Sequence, residues 1–175
     1  MFSLEEYWER KSLILGDVNS GKTRMTLELL SRIIDQKRAE VAVLDLAPEQ
    51  TRGIGGKMVV PSHHLISYST TTIIAPRLAG RDTDEVEAYA RRNAEAIEEV
   101  FGNYLKNPKK VVIINDVSLY LQTGTLDRLM EVLSLSHTAI INGYYGKTFG
   151  NSPLSKRERC QIDRLIKICD RVIYL

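Results

Sequence analysis

Residues 16–23 read Gly16-Asp17-Val18-Asn19-Ser20-Gly21-Lys22-Thr23 and fit the pattern G-x-x-x-x-G-K-[ST]. The flanks suit that pattern. Ser12, Leu13, Ile14 and Leu15 form a short, mostly apolar run that reads as a buried strand. After Thr23, the residues Met25, Leu29, Leu30, Ile33 and Ile34 recur at the spacing of one helical face. A strand, a glycine-bearing loop and a helix in that order constrain the chain more than any other feature. Gly16 and Gly21 let the backbone turn tightly and come close to an anion. Successive N–H groups of the loop and of the first helical turn then converge on a phosphate. Lys22 reaches the β- and γ-phosphates as a point charge. The Thr23 hydroxyl is placed to ligate a Mg²⁺ held by the same phosphates.

The rest of the chain alternates. Residues 3–10 read as a short helical lead-in with Leu4, Tyr7 and Trp8 on one face, and the helix after the loop runs to about residue 36. Residues 41–46 form a second strand that carries Asp45 to the carboxyl edge of the sheet, where ligands of open α/β sheets bind. Ala47, Pro48 and Glu49 stop it. Residues 50–62 hold three glycines and no helical period, so they are a loop, either a structural turn or a ligand contact. Residues 64–69 suit a shorter strand, and His63 and His64 lack partners at metal-ligand spacing. Residues 82–106 form the longest helix, opened by the capping box Asp82-x-x-Glu85 and closed by Asn107-Pro108.

Residues 111–116 are the most strand-like run: four β-branched residues in a row predict a strand buried on both faces. Asp116 at its end is the acidic position that complements such a loop and holds Mg²⁺ directly or through water. A helix over 124–135, a strand over 138–142, a helix from the box Ser155-x-x-Glu158 to about residue 169 and a last strand over 170–175 complete the chain. The alternation predicts an α/β fold: a three-layer α/β/α sandwich on a mostly parallel sheet of about five strands, with residues 1–175 as one domain.

Composition bounds the partners. Apolar content of 43% and charged content of 26% are those of a soluble globular protein, and a net charge of +2 gives no global signal for a polyanion. Charge is uneven: residues 151–175 carry six bases against three acids. Lys147, Arg157 and Arg159 would form a mobile basic lid over bound phosphate, hinged at Gly143, Gly146 and Gly150. No run approaches the ~20 apolar residues that span a bilayer. The acidic first ten residues are unlike a signal peptide. Cys160 and Cys169, too far apart on one helix to bridge, read as core thiols of a cytoplasmic protein.

The loop at 16–23 and Asp116 make the chain resemble the P-loop NTPase-fold proteins, which implies ATP or GTP with Mg²⁺ at residues 16–23 and 116. Over about residues 12–50 it is also similar to RNA 5′-hydroxyl kinases of the RNA-processing type, whose pattern is G-x-x-N-S-G-K-[ST] and then a strand ending D-x-D-x-G-Q. That resemblance implies Asp45 beside the substrate hydroxyl or the metal. Ala47 stands where the second Asp would be, and Glu49 where the Gly would be. Val117 and Ser118, not Glu, follow Asp116, and neither Asp-x-x-Gly after that strand nor Asn-Lys-x-Asp is present. Two functions follow. One is a phosphotransferase or slow NTPase in which Lys22, Asp45 and Glu49 are the catalytic candidates, acting on an unknown acceptor. The other is a non-catalytic nucleotide-sensing module that switches contacts with a partner protein. Nucleic acid as a partner has only Tyr144, Tyr145 and the basic C-terminal segment behind it.

Overall fold

The computed structural model describes residues 3–175. Its strands are β1 (Lys11–Gly16), β2 (Val41–Asp45), β3 (Ile66–Thr70), β4 (Val111–Asn115), β5 (Thr138–Tyr144) and β6 (Arg171–Tyr174). All pair in parallel, in the order β3-β2-β4-β5-β1-β6. The sheet therefore has six strands, one more than the five or so expected. The helices are α1 (Lys22–Arg32), continued by a π turn (Ile33–Lys37), then α2 (Pro76–Ala79), α3 (Thr83–Lys106), α4 (Ser118–Leu121), α5 (Leu126–Ser134) and α6 (Pro153–Ile166). A 3₁₀ turn (Leu4–Glu6) stands where the helical lead-in was expected.

Neighbouring residues of a strand point to opposite faces, and the two faces build two cores. Leu13, Leu15, Leu44, Ile114 and Ile141 pack with Ile97 and Phe101 of α3, Leu129 of α5 and Ile162 of α6. Ile14, Val43, Ile113 and Ile140 pack the other way, on Leu29 and Leu30 of α1 and on Leu4 and Tyr7. The four β-branched residues of β4 are each fully buried, as a strand covered on both faces requires. The result is helix, sheet, helix.

Local details differ from the expectation in instructive ways. Asp82 caps α3 by accepting from the Glu85 N–H at 2.9 Å, but Glu85 reaches back to the Arg81 N–H at 2.7 Å, so the box is not reciprocal. Helix α6 starts earlier than Ser155. Ser152 accepts from the Ser155 N–H at 3.1 Å and Pro153 takes the first turn, where its missing N–H is not needed. Glu158 is therefore free of any capping role and is buried instead. Cys160 is exposed, on the opposite side of α6 from its buried residues, so it is not a core thiol.

Three polar side chains interrupt the apolar core at the carboxyl ends of adjacent strands: Asp45 on β2, Asn115 on β4 and Asn142 on β5, each 1% exposed or less. Asn115 donates to Asp45 at 2.8 Å, and Asn142 donates to the Asn115 oxygen at 2.9 Å. Asp45 also accepts from the N–H groups of Ala47 at 3.2 Å and Met58 at 2.6 Å and from the Tyr68 hydroxyl at 2.8 Å. Asp45→Ala strands three or more buried donors, each worth about 1–3 kcal/mol when unpaired. We predict a loss of about 3–5 kcal/mol in urea unfolding. A loss below about 1 kcal/mol would mean the donors find other partners.

Candidate functional site

The loop between β1 and α1 is built for close approach. Gly16 ends β1 in register with Tyr144 of β5, and a Cβ there would lie 2.7 Å from the Leu175 carbonyl oxygen. Gly21 is the N-cap of α1 at φ +95°, a conformation open to glycine and strained for other residues. Among the described residues no side chain caps this helix, so the N–H groups at its start are left for another acceptor. The first turn carries no acid, which leaves the positive end of the helix dipole uncompensated. Val18, Asn19, Ser20, Gly21, Lys22 and Thr23 all line one cleft of about 690 Å³.

Lys22 folds back on the loop, its Nζ 2.6 Å from the Asp17 carbonyl oxygen and 3.4 Å from the Ser20 hydroxyl. Burial pulls its pKa down, while the charges of Asp116 and Asp17 push it up. The Thr23 hydroxyl donates to Asn115 Oδ1 at 3.3 Å. Asp116 follows β4 at φ +59° and lines the same cleft. Its N–H donates to Asn142 Oδ1 at 2.9 Å, and its carboxylate accepts from the Ser118 hydroxyl. Desolvation raises the Asp116 pKa, although Ser118, Lys22 and Arg77 all favour the charged form. A carboxylate that burial disfavours is a good seat for a cation. One carboxylate and one hydroxyl suit Mg²⁺, which keeps several waters and shares phosphate oxygens. Among the described residues no cluster of three or more His, Cys, Asp or Glu side chains offers a metal cage.

Of the other candidates, Glu49 reaches the cleft and Asp45, Arg157 and Arg159 do not. Asp45 is fully buried, its oxygens are taken by four donors, and it does not line the cleft. Its strand does end at the ligand edge, but Met58 and Tyr68 close over it. Glu49 is exposed and lines the cleft. Arg157 donates to the Gln122 carbonyl and pairs with Glu87 at 2.8 Å, and Arg159 stacks 3.7 Å over Tyr145; neither lines the cleft. The basic face of α6 points away because Leu154, Glu158, Ile162 and Leu165 take the inward positions. Residues 54–59 form a wall of the cleft, tied down by Lys57, whose ammonium donates to the Ala47 carbonyl at 2.7 Å and the Thr70 hydroxyl at 2.7 Å.

The structure adds residues that motif reading passed over. Asn142 was legible as a polar residue ending an apolar run beside Asp116. Arg77 was not: it sits in an irregular segment with no period. Its guanidinium makes two hydrogen bonds to Glu158, at 3.1 and 3.0 Å, and stacks 4.3 Å over Phe149 at the cleft wall.

The segment expected to act as a lid is pinned at its start. Asp17 accepts from the Val18 N–H at 2.7 Å and from the Lys147 N–H at 2.9 Å. The Thr148 hydroxyl, then the backbone N–H groups, hold the Asp17 carboxyl down at about 2.

No protein-family model matches the chain, and no match to it was found among curated proteins. Among solved structures it is similar to the helicase domain of Hef from Pyrococcus furiosus, at 13% identity and a TM-score of 0.45, over 98% of this chain and 36% of that one. This chain thus spans about a third of the length of that structure's chain. The chain's own features are an α/β fold on a parallel sheet, with the sequence pattern G-x-x-x-x-G-K-[ST] between its first strand and first helix.

The Asp17 tether is made by the carboxylate form. Its folded pKa lies below the ordinary 3.8, so its contribution is present above about pH 4 and is lost as pH falls through about 2. At neutral pH, Asp17→Ala should lower hydrogen-exchange protection of the Lys147 amide while leaving β1 and β5 unchanged. Unaltered protection at Lys147 would show that the tether holds nothing.

Proposed function

We propose that the chain binds a nucleoside triphosphate, ATP or GTP, with Mg²⁺ in this cleft, and acts on it as a phosphotransferase or slow NTPase. One observation carries the reading. Helix α1 opens with uncapped N–H groups, Lys22 and Thr23 into a cleft that also contains Asp116. The loop from Gly16 to Thr23 would wrap the β-phosphate, and Lys22 would leave the Asp17 carbonyl for the β- and γ-oxygens. Thr23 and Asp116 would hold Mg²⁺, which neutralises charge on the phosphates. Asn142 would stay bonded to the Asp116 N–H and fix that residue's backbone.

Phosphoryl transfer is mostly positioning and charge neutralisation, so the group that orients the acceptor matters. Of the two acidic candidates, Glu49 is the one that lines the cleft and Asp45 is the one held in hydrogen bonds. We therefore assign the orienting role to Glu49 and a scaffolding role to Asp45. The likeness to RNA 5′-hydroxyl kinases rests on residues 12–50 alone, and the burial of Asp45 does not support the role that likeness implied for it. A sensing function draws support from a separate observation. Thr23, Asn115, Asp45 and the Met58 N–H form a continuous hydrogen-bonded chain from the P-loop to the cleft wall. Through it, a metal that recruits Thr23 would change the wall presented to a partner.

Lys22→Ala should weaken Mg²⁺–ATP or Mg²⁺–GTP binding by about tenfold or more, the worth of about 1.4 kcal/mol or more of charge-assisted hydrogen bonding. Asp116→Asn should weaken Mg²⁺-dependent binding far more than Mg²⁺-free binding. Titration calorimetry reads both. An unchanged Kd for Lys22→Ala sinks the nucleotide reading, and an equal loss with and without Mg²⁺ for Asp116→Asn makes Asp116 structural.

A further inference from the structure

The cleft is larger than a phosphate groove needs. The P-loop stands on β1 and Asp116 on β4, with β5 between them, so about 10 Å separates the two strands. A triphosphate held at residues 16–23, with its metal at Thr23 and Asp116, would span that distance and end at Asp116. Its nucleoside would then lie on the other side, toward β1. The cleft continues past Asp116 over the end of β2, between Pro48, Met58, Leu78 and Leu119. Arg77 also lines this part, and Lys57, beside Met58, is tied to the Ala47 carbonyl and the Thr70 hydroxyl.

Arg77 is held in an unusual way. Its side chain is 11% exposed and that of Glu158 is 3% exposed. Ser155 also accepts from it, at 3.2 Å. Taking both charges out of water costs more than such a pair commonly returns, so a buried pair is a poor device for stability alone. A third buried group completes the arrangement. Gln122, 0% exposed and lining the cleft, donates from Nε2 to Glu158 at 2.8 Å, while its Oε1 has no hydrogen-bond partner among the described residues. An unpaired buried acceptor costs free energy that a bound donor would recover.

We propose that the cleft beyond Asp116 is a second ligand site for a small molecule that joins an oxyanion to an apolar or planar body, and that Arg77 exchanges Glu158 for that oxyanion. The fork of the guanidinium matches phosphate and carboxylate alike. Gln122 keeps Glu158 hydrogen-bonded when Arg77 turns away, so the released carboxylate is not left without a donor. The apolar walls take the body of the ligand. The placement of this site rests on the triphosphate lying as proposed above, and it supplies the acceptor that a phosphotransferase requires.

Phenyl phosphate is a suitable probe, since it has an oxyanion and a flat apolar body. It is titrated by calorimetry into protein saturated with Mg²⁺ and a non-hydrolysable ATP analogue. The wild-type protein should take up one further equivalent. Glu158→Gln keeps the shape but removes the competing charge, and it should tighten phenyl phosphate by about threefold or more. A merely structural ion pair would give no change or a loss. Arg77→Ala combined with Glu158→Gln leaves no lone buried charge, so it should fold, lose phenyl phosphate binding by tenfold or more, and keep nucleotide affinity within threefold. Absence of a further equivalent in the saturated wild type overturns the second site. So does a loss of nucleotide affinity in the double variant as large as its loss of phenyl phosphate affinity, because the nucleoside would then occupy this part of the cleft. If the ATP analogue does not bind but phenyl phosphate binds in an Arg77-dependent way, the nucleotide reading falls and the oxyanion site stands.

Discussion

Hydrogen bonds among Asp45, Asn115 and Asn142 hold the carboxyl ends of three neighbouring strands in one frame, and the start of helix α1 is attached to that frame through Thr23 and Thr26. Asn142 donates to both the Thr26 hydroxyl and Asn115 Oδ1, at 2.9 Å each. Thr23 donates to the same Asn115 oxygen. In a buried setting such bonds are stronger than in water, and a missing partner is correspondingly costly. The frame therefore sets where helix α1 begins relative to β4, and with it the position of Lys22 and Thr23 relative to Asp116. The same groups hold the wall at residues 57–58, through Asp45. A change in any one of them is felt at the loop and at the wall together.

A second set of polar contacts surrounds the mouth. Asp17 joins the P-loop to the segment after β5, which places Tyr144 and Phe149 at the rim. The two rings meet edge to face, their centroids 5.0 Å apart, and Arg77 lies over both, at 5.3 and 4.3 Å from the centroids. The rim is therefore built from three segments far apart in sequence: the loop at 16–23, the short helix α2 and the stretch from β5 to α6. This arrangement explains why the basic residues of α6 are not the ones that face the cleft. Glu158 is the buried charged residue of that helix, and it draws in Arg77 from another segment.

The strand-loop-helix unit was legible because its signals are local: glycine spacing, an adjacent lysine, and apolar periods of strand and helix. The burial of β4 was legible for the same reason, from four β-branched residues in a row. Asp45 marks the limit of such reading. Its position at a strand end could be read, but its environment is made by Met58 and Tyr68, which are 13 and 23 residues away in sequence. No local pattern says that a loop containing three glycines returns to place an N–H on that carboxylate. Ser155 and Glu158 had the spacing of a capping box, yet the stronger start signal was Ser152-Pro153, and the Glu went to the core. Arg77 had no pattern at all, since a four-residue helix between irregular segments has no period to detect.

The proposed function requires one arrangement: a triphosphate at the start of α1, its metal between Thr23 and Asp116, and the Asn115 frame unchanged beneath. A crystal structure of the complex with Mg²⁺ and a non-hydrolysable ATP analogue tests it directly. Phosphate oxygens should lie against the N–H groups of Gly21, Lys22 and Thr23, the Thr23 hydroxyl should move from Asn115 to the metal, and the Asn142–Asn115–Asp45 bonds should be retained. Nucleotide bound away from residues 16–23, or a metal that Asp116 does not approach even through water, would contradict it.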